Sequence, residues 1–346
     1  MSASTRPDIV ARRPEDVLSI VPYLLGFHPR ESLVLVALGR PRQRVVCAMR
    51  IDLPAPESAS AVTEQLLPAL RNCAATRVFV IAYSDTDQPA RSVAAAVARL
   101  LAAAQLGVAA IWRSDGSRWW CCCESDPPCD PAEGTPYDGS DSPCPAEAVL
   151  NGMVALPDRA ALERLVAAPP EPQRTAMARL TQRMAADLQG PRRAARALPS
   201  LVVRGQREVE QLVRAFVAQP RPLVDAEVAR LCAWLRHVHV RDAAWCLLDR
   251  ARLDAHLDLW QQVTSRAAPG YVAAPAALLA FAAWLAGRGA LAQCALDRCF
   301  ADEPDYSLGR LLDEALAAGL PPSTWQPVPL SELYAATRGA RSAVLP

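Results

Sequence analysis

The sequence contains no lysine, and this absence sets its charge pattern. All 37 basic side chains are arginines, and 36 acidic side chains balance them to a formal net charge of +1. This balance creates no overall field that would attract nucleic acid or an anionic membrane, although it is compatible with a local basic patch. No nucleic-acid partner is therefore indicated. The lack of lysine, together with abundant alanine, is typical of a GC-rich genome.

Long apolar runs are also missing. Residues 1–8 have no apolar core of the kind that a secretory signal needs. The most apolar stretch, 272–286, has the length of a core helix and contains Pro275, whereas a bilayer span needs about 20 apolar residues. We therefore expect a soluble, cytoplasmic protein without a membrane partner, whose 11 cysteines are thiols or metal ligands.

The common catalytic signatures are absent from the sequence. It has no glycine-rich phosphate loop, no dinucleotide fingerprint and no zinc-protease helix. His28 and Ser32 lie close together in sequence, but they lack the Gly-x-Ser-x-Gly elbow and a third group that would orient the histidine. We therefore assign no catalytic residue, and the sequence favours a non-catalytic protein over an enzyme.

The first half of the chain has the pattern of a mixed α/β structure. Apolar runs predict strands at 33–38, 45–53, 77–83, 108–112 and 117–123, and helices at 55–75 and 89–106. This order favours an α/β or α+β domain over residues 1–123, with a mixed sheet of about five strands. The helical crossovers predict parallel neighbours, and the continuous run at 33–38 predicts a strand covered on both faces.

The composition changes after residue 123. Residues 124–145 are rich in cysteine and proline and have no periodicity, which predicts a loop or a small insertion. Residues 146–338 have helical patterns and predict a mainly α-helical domain, and residues 339–346 are expected to be a frayed tail. One long helix is predicted at 242–266, with Asp242 as its N-terminal cap.

Part of the helical domain has the spacing of a tetratricopeptide-like hairpin. Ala292, Leu296, Cys299 and Pro304 follow the small, large, small, proline order of the second helix of such a unit, and Ala280 supplies the small residue of the preceding helix. Only one copy is detectable. An antiparallel helical hairpin inside an irregular bundle is therefore the favoured alternative to a repeat array.

The segment 13–38 is the most informative stretch of the chain. Proline and acidic residues at 13–16 predict the start of a helix, which Pro22 is expected to restart and Gly26 to end. The turn that follows carries His28, Arg30 and Ser32. It is more polar than a simple turn requires, so it is the first place to look for a site.

Several motifs along the chain carry a family resemblance. They are LLGFHPRESLV at 24–34, RIDLP at 50–54, CDPAEGTP at 129–136, VRD at 240–242 and PDYSL at 304–308. Together they resemble an actinobacterial family catalogued as domain of unknown function 4192. The resemblance implies a cytoplasmic bacterial protein with an α/β half and a helical half, and it implies no activity. The family's central motif tends to have paired cysteines, whereas Asp130 stands here at the second position.

The cysteines around this central motif are the candidate metal ligands. Cys121 and Cys123 would share one face of a strand and, with Cys129 and Cys144, could supply a tetrahedral thiolate set for zinc. Their spacing differs from that of a zinc ribbon, which has two pairs each separated by two residues. A disulfide between loop cysteines and plain reduced thiols are the alternatives.

Polar residues at predicted strand ends are the candidate ligand-binding groups. Arg50 and Asp52 share one face of a strand, and Asp85 follows the next strand along the chain. With His28, Arg30 and Ser32 they could line a pocket where loops gather, although an ion pair between Arg50 and Asp52 is the simpler interpretation.

The VRD motif adds two further candidates in the helical domain. Arg241 could pair with a carboxylate of a neighbouring helix or present a binding group, and the sequence does not separate these possibilities. Asp242 beside it is the expected helix cap.

These observations favour a non-catalytic interaction or regulatory protein, whose helical domain offers a binding surface to a protein partner. One alternative is an unrecognised enzyme or small-ligand binder with a pocket at the strand ends. The other is a zinc-stabilised binding module that uses the region from Cys121 to Cys144. No cofactor other than zinc is suggested, and the oligomeric state is left open.

Overall fold

A computed structural model describes residues 11–40, 44–123, 131–189 and 198–339. The chain divides into two compact units. The first, called here the sheet unit, runs to Leu162 and also takes in Ala315–Pro321. The second, called the helical unit, contains Glu163–Glu314 and the chain from Pro322 onward. The first division lies later than the predicted one near residue 145, because the chain around Leu156 pairs with Phe27 in the sheet unit.

The sheet unit is built on a six-stranded mixed sheet. Its strands are β1 (Ser32–Gly39), β2 (Arg44–Asp52), β3 (Arg77–Tyr83), β4 (Gly107–Ser114), β5 (Arg118–Cys121) and β6 (Thr135–Pro136). Its helices are α1 (Pro14–Leu25), α2 (Ala59–Asn72), α3 (Asp87–Ala103), α4 (Pro143–Leu150) and α5 (Arg159–Arg164), whose last two residues belong to the helical unit. The mixed sheet predicted from the sequence is confirmed, and β6 is an addition to it.

The strand order is β2-β1-β3-β4-β5-β6. Helix α3 joins β3 to β4, and these two strands are parallel neighbours as predicted. Helix α2 joins β2 to β3, but β1 lies between them and is antiparallel to both. The expectation of parallel neighbours was therefore wrong for this crossover, because β1 and β2 first pair as a hairpin and leave the other edge of β1 for β3.

The core of the sheet unit lies between the sheet and helices α2 and α3. Alternate residues of β1 and β3 face it, as the period of a strand requires, and α3 covers them with small and branched side chains. The largest of these buried residues are Leu33, Leu35, Val80, Val97 and Leu101. All residues of β1 are buried, which agrees with the predicted coverage of both faces.

Helix α1 differs from the prediction at Pro22. The helix continues through this proline and ends at Gly26, which has the left-handed φ of 86° that favours glycine. Pro22 lacks the N–H that would bond to the carbonyl of Leu18. The buried apolar face around Leu18 and Val21 holds the helix together across this gap.

The predicted loop at 124–145 is partly ordered secondary structure. Residues 124–130 lie outside the described residues, but β6, a 3₁₀ turn at Gly139–Asp141 and the start of α4 all fall within the segment. Gly134 explains how the chain enters β6, since it has a φ of 75° and an added Cβ would lie 2.3 Å from the Trp120 ring. The segment around Gly134 therefore packs against Trp120 of β5.

The helical unit contains the remaining helices. They are α6 (Gln173–Gln189), α7 (Leu198–Ala218), α8 (Asp225–Leu235), α9 (Val238–Cys246), α10 (Leu253–Arg266), α11 (Ala273–Leu285), α12 (Gly289–Asp302), α13 (Ser307–Ala317), whose last residues belong to the sheet unit, and α14 (Leu330–Gly339). The predicted helical half is thus confirmed. Of the predicted tail 339–346, Gly339 ends α14 and the rest lies outside the described residues.

The prediction of one helix at 242–266 was wrong. The chain forms α9, a 3₁₀ turn at Arg250–Arg252, and then α10. Asp249 caps this turn by accepting a hydrogen bond from the N–H of Ala251 at 2.9 Å, and the N–H of Asp249 bonds to His256 Nε2 at 3.3 Å. Asp242 lies inside α9, whose N-cap is His237, so the predicted capping role of Asp242 was also wrong.

Aromatic and small side chains fill the core of the helical unit. Trp234 and Trp260 are completely buried, and every residue of α11 is buried. The alanines of α11 allow α12 to pack closely against it. Among the helices of the described residues, none combines the length and the hydropathy needed to cross a bilayer.

Candidate functional site

One edge of the sheet gathers most of the predicted polar candidates. Ser32 at the start of β1 pairs with Asp52 at the end of β2 and with Tyr83 at the end of β3. Tyr83 in turn pairs with Ser114 at the end of β4. The turn before β1 and the segments after β2, β3 and β4 therefore meet at one place, called here the Ser32 edge.

Ser32 is completely buried and is used twice as a hydrogen-bonding group. Its hydroxyl donates to the carbonyl of Arg30 at 2.5 Å and accepts from Arg50 Nε at 2.8 Å. Arg50 also binds Asp52, with 2.7 Å between Nη1 and Oδ1, and its guanidinium lies 5.9 Å from the Phe27 ring centre. The ion pair expected between Arg50 and Asp52 is present, and Ser32 holds the arginine in place.

Glu31 lies in the polar turn before β1, where it or Ser32 was expected to satisfy local backbone donors, but its partners belong to a distant segment. Its backbone has a positive φ of 39°, and its carboxylate accepts hydrogen bonds from Ser84 Oγ at 3.0 Å and from the N–H of Asp85 at 3.2 Å. The carboxylate thus ties the turn before β1 to the end of β3. Asp85 contacts Glu31 through its backbone N–H, and the residue as a whole is exposed to solvent. The only available signal was the position of Glu31 between Arg30 and Ser32.

Arg113 is a residue of this edge that sequence reasoning missed, and it is buried. Its guanidinium donates to the carbonyls of Ser84 at 3.2 Å and Asp85 at 3.1 Å, and to Asp87 Oδ1 at 3.0 Å. The same group lies 4.1 Å from the ring centre of Trp120, in a cation–π contact. A charged residue directly after the predicted apolar strand 108–112 was the sequence signal for this role.

His28 and Arg30 lie on the exposed side of the turn. The backbone N–H of His28 donates to the carbonyl of Leu156 at 2.9 Å, so the residue anchors the turn to the chain after α4. Partial burial and the nearby Arg30 charge lower the pKa of His28 below its ordinary value. The structure therefore brings Ser32, Arg50 and Asp52 into direct contact, and it joins Asp85 to them through Glu31. A ligand pocket at these residues stays a prediction.

The candidate zinc ligands occupy different environments. Strand β5 ends at Cys121, so Cys123 lies beyond the strand. Cys144 is fully buried on α4 against Ile20 and Ala148, and burial raises the pKa of its thiol. Cys129 lies outside the described residues. Within the described ranges, no group of three or more cysteine, histidine or acidic side chains is placed to hold a metal ion, so zinc also stays a prediction.

The buried Arg241 and the partly buried Asp242 form a junction in the helical unit. Asp242 Oδ1 accepts from Arg241 Nε at 2.9 Å and from Nη2 at 2.5 Å. The Arg241 guanidinium lies 5.6 Å from the ring centre of Tyr306, and burial raises the pKa of the Tyr306 hydroxyl. The VRD and PDYSL motifs therefore meet in space. Arg241 forms its ion pair with Asp242, its neighbour in sequence, so its charge has a structural role.

Comparison with known protein families gives a match over most of the chain. The family model described as Domain of unknown function (DUF4192) matches residues 14–323. The chain belongs to this family. Comparison with curated proteins and with solved structures gave no match. Within DUF4192, the matched range includes both the Ser32 edge and the Arg241–Tyr306 junction, so the resemblance noted in the sequence is confirmed.

Two surface grooves lie on this DUF4192 member, one in each unit. In the helical unit, a groove of about 420 Å³ lies between α7 and α8, lined by Glu208, Gln211, Leu212, Ala226, Glu227 and Arg230. In the sheet unit, a groove of about 300 Å³ is lined by Arg91, Ser92, Ala95, Arg99, Cys122 and Cys123. The sequence contained no distinct signal for either, because each depends on the spacing between two packed elements.

Proposed function

We propose that this protein is a non-catalytic interaction protein whose helical unit binds a protein partner in the groove between α7 and α8. The observation that carries the proposal is the composition of this groove. Leu212 from α7 and Ala226 from α8 are its two apolar lining residues, and Val224 just before α8 is 59% exposed. An accessible apolar concavity of this kind suits the apolar side chains of a partner segment.

The rim of the groove supports the same proposal. Glu208 accepts a hydrogen bond from Trp234 Nε1 at 2.9 Å and lies within ion-pair distance of Arg204 and Arg230. Glu227 is paired with Arg221 across the start of α8, with 2.6 Å between Oε1 and Nη2. An apolar centre with a rim of paired charges is the usual composition of a protein interface.

The alternative functions have less support. Arg50 donates to Ser32, Glu31 accepts from Ser84 Oγ and the N–H of Asp85, and Arg113 donates to the carbonyls of Ser84 and Asp85. This is a structural use of groups that a catalytic site or a ligand pocket would leave available. A general base or a nucleophile needs a partner aimed at a substrate. The polar bonding at the Ser32 edge instead supports a scaffold role for the sheet unit.

We also propose that α11 and α12 form a hairpin of the tetratricopeptide type. Of the residues that define the spacing, Ala280, Ala292, Leu296 and Cys299 are completely buried, and the exposed Pro304 follows the end of α12. Small residues such as Ala280, Ala292 and Cys299 let two helices approach closely. Helices of this type commonly belong to protein-binding folds, which agrees with an interaction role for the helical unit.

Site-specific photocrosslinking in cells of the source organism tests the binding groove. A photoreactive amino acid is placed at Ala226 in the groove, and in a matched protein at Val149 of α4, which is 58% exposed in the sheet unit. We expect a discrete crosslinked product from position 226 that is lost when Leu212→Asp is added, while circular dichroism stays unchanged. Equal products from both positions, or no product from position 226, would contradict the proposal.

A further inference from the structure

Acidic and basic residues separate toward opposite ends of the strands in the sheet unit. The sequence has no acidic residue in three long segments, 32–51, 65–84 and 88–114, which contain nearly all of β1 to β4 and most of α2 and α3. Apart from Glu64 of α2, the acidic residues that border these segments lie in or next to strand ends at the Ser32 edge. They are Glu31, Asp52, Asp85, Asp87 and Asp115. The opposite ends of the four strands therefore carry no acidic residue.

The opposite ends of these strands, called here the arginine end, gather arginines instead. Gly39 at the end of β1 pairs with Arg44 at the start of β2, and Leu38 pairs with Arg77 at the start of β3. Helices α2 and α3 run toward this end, because each joins the Ser32 edge to the start of the following strand. The arginines that meet here are all exposed, and they are Arg40, Arg44, Arg71, Arg77 and Arg99.

Four of these arginines have no carboxylate partner. Within the described part of the chain, no acidic side chain forms an ion pair with Arg40, Arg71, Arg77 or Arg99. The nearest acidic residue before Arg71 in α2 is Glu64, about 10 Å away along the helix axis. At the Ser32 edge, by contrast, Arg50 and Arg113 each pair with an aspartate. The arginine end is therefore a region of uncompensated positive charge in a chain whose total charge is only +1.

The side chains around these arginines indicate the class of partner. Among the described residues, no exposed large apolar side chain lies on β1 to β4, α2 or α3. A protein interface needs an apolar centre, and stable adsorption to a membrane needs apolar side chains that insert into the bilayer. A nucleic-acid interface is instead polar and positively charged. Arginine also donates paired hydrogen bonds to phosphate oxygens.

The spacing of the arginines favours a long polyanion over a small one. Strands β2 and β3 lie on either side of β1, so Arg44 and Arg77 begin strands that are about 10 Å apart. Arg71 and Arg99 belong to the helices that pack on the sheet. The aromatic side chains of β3 and β4 are buried or half-buried, whereas binding of a single strand uses exposed aromatic rings for base stacking. A duplex, which carries its phosphates in outer rows, matches these features better.

We propose that the arginine end binds the phosphate backbone of a nucleic-acid duplex without reading its base sequence. The arginines of the β1–β2 hairpin, α2, β3 and α3 contact phosphates, and the acidic Ser32 edge lies at the far end of the strands. The total charge of the chain did not indicate this partner, because acidic residues elsewhere balance the arginines in the sum. The site uses the sheet unit, whereas the proposed protein-binding groove belongs to the helical unit.

Fluorescence anisotropy of a short labelled DNA duplex, titrated with the full-length protein, tests this proposal. The logarithm of the binding constant should fall linearly with the logarithm of the salt concentration, with a slope of about −3 to −4 for about four phosphate contacts. Arg71→Gln and Arg77→Gln should each weaken binding about 5–10-fold at about 0.1 M salt and reduce the slope by about 1. The matched control Arg179→Gln removes the same charge from an exposed position of α6 and should change neither value.

Further probes in the same assay distinguish the possible partners. A DNA duplex of a different base sequence should bind equally well, and an RNA duplex of the same sequence shows which kind of duplex binds more tightly. Circular dichroism of each variant confirms the fold. The proposal is overturned if neither duplex binds in a salt-dependent way, or if Arg179→Gln weakens binding as much as Arg77→Gln. Tighter binding to single-stranded DNA, to polyglutamate or to phosphatidylglycerol vesicles would also overturn it.

Discussion

The two units differ in the kind of contact that stabilises them. In the sheet unit, charged side chains converge at the Ser32 edge, where Glu31, Arg50 and Arg113 bond to neighbouring strand ends. In the helical unit, completely buried tryptophans and the alanine-rich helix α11 occupy the centre. The comparison teaches that directional polar bonds position the loops of the first unit, whereas apolar volume determines the packing of the second.

The largest expected effect tests the apolar side of this comparison. Trp260→Ala should lower the free energy of unfolding by about 3–5 kcal/mol, because it removes a completely buried aromatic ring and leaves a cavity. Urea unfolding followed by circular dichroism measures the loss. Val238→Ala, at a residue that is 56% exposed in the same unit, is the control and should change stability by less than about 0.5 kcal/mol. Similar losses for the two variants would show that the core does not depend on this ring.

A smaller effect is expected at the Ser32 edge. Arg113→Met should lower stability by about 2–3 kcal/mol, because the carbonyls of Ser84 and Asp85 lose their charged donor inside the protein. The control is Arg99→Met, at an exposed arginine of α3, which should have little effect. If Arg113→Met leaves the free energy of unfolding unchanged in chemical denaturation, polar bonds do not stabilise the Ser32 edge. The proposed difference between the two units would then be wrong.

The smallest expected effect concerns the charge at the start of α1. Burial raises the pKa of Asp16, but hydrogen bonds from the N–H of Arg12, from Ser142 Oγ and from Arg13 outweigh it, so the net pKa lies below the ordinary value. A carboxyl with a lowered folded-state pKa stabilises the protein above its unfolded-state value of about 4, and this stabilisation disappears as the pH falls through the folded-state pKa. Asp16→Asn should therefore cost about 1 kcal/mol at neutral pH.

Unfolding measurements from pH 7 downward check the charge effect at Asp16. The difference between Asp16→Asn and the unsubstituted protein should shrink as the pH falls below the ordinary carboxyl range. A difference that stays constant with pH would assign the effect to shape instead of charge. Such a result would remove one of the charged contacts on which the comparison of the two units rests.

Local patterns predicted much of the fold. The continuous apolar run before Gly39 became the fully buried strand β1, and Gly26 ended α1 as expected. The prediction failed where a local signal competed with packing. Pro22 stayed inside α1 because the buried face of the helix compensates for one missing hydrogen bond. The break between α9 and α10 depends on the contact of Asp249 with His256, which the helical period alone does not contain.

The candidate site was predicted in part. Arg50 and Asp52 were expected to share a face and do form an ion pair. Arg113 and the distant partners of Glu31 were missed, since these contacts join the residues to a segment far away in the chain. A carboxylate or a guanidinium in a sequence does not indicate which distant carbonyl or N–H it will meet.

The sequence by itself determined the family, the order of strands and helices from α1 to β5, and the lack of a recognisable catalytic motif, because these depend on residue types and on periods of a few residues. Only the tertiary structure decided that β1 lies between β2 and β3 and that Glu31 joins the end of β3. The physical reason is that such contacts join residues far apart in the chain. They form only when the burial of the whole sheet offsets the entropy of closing the loops between them.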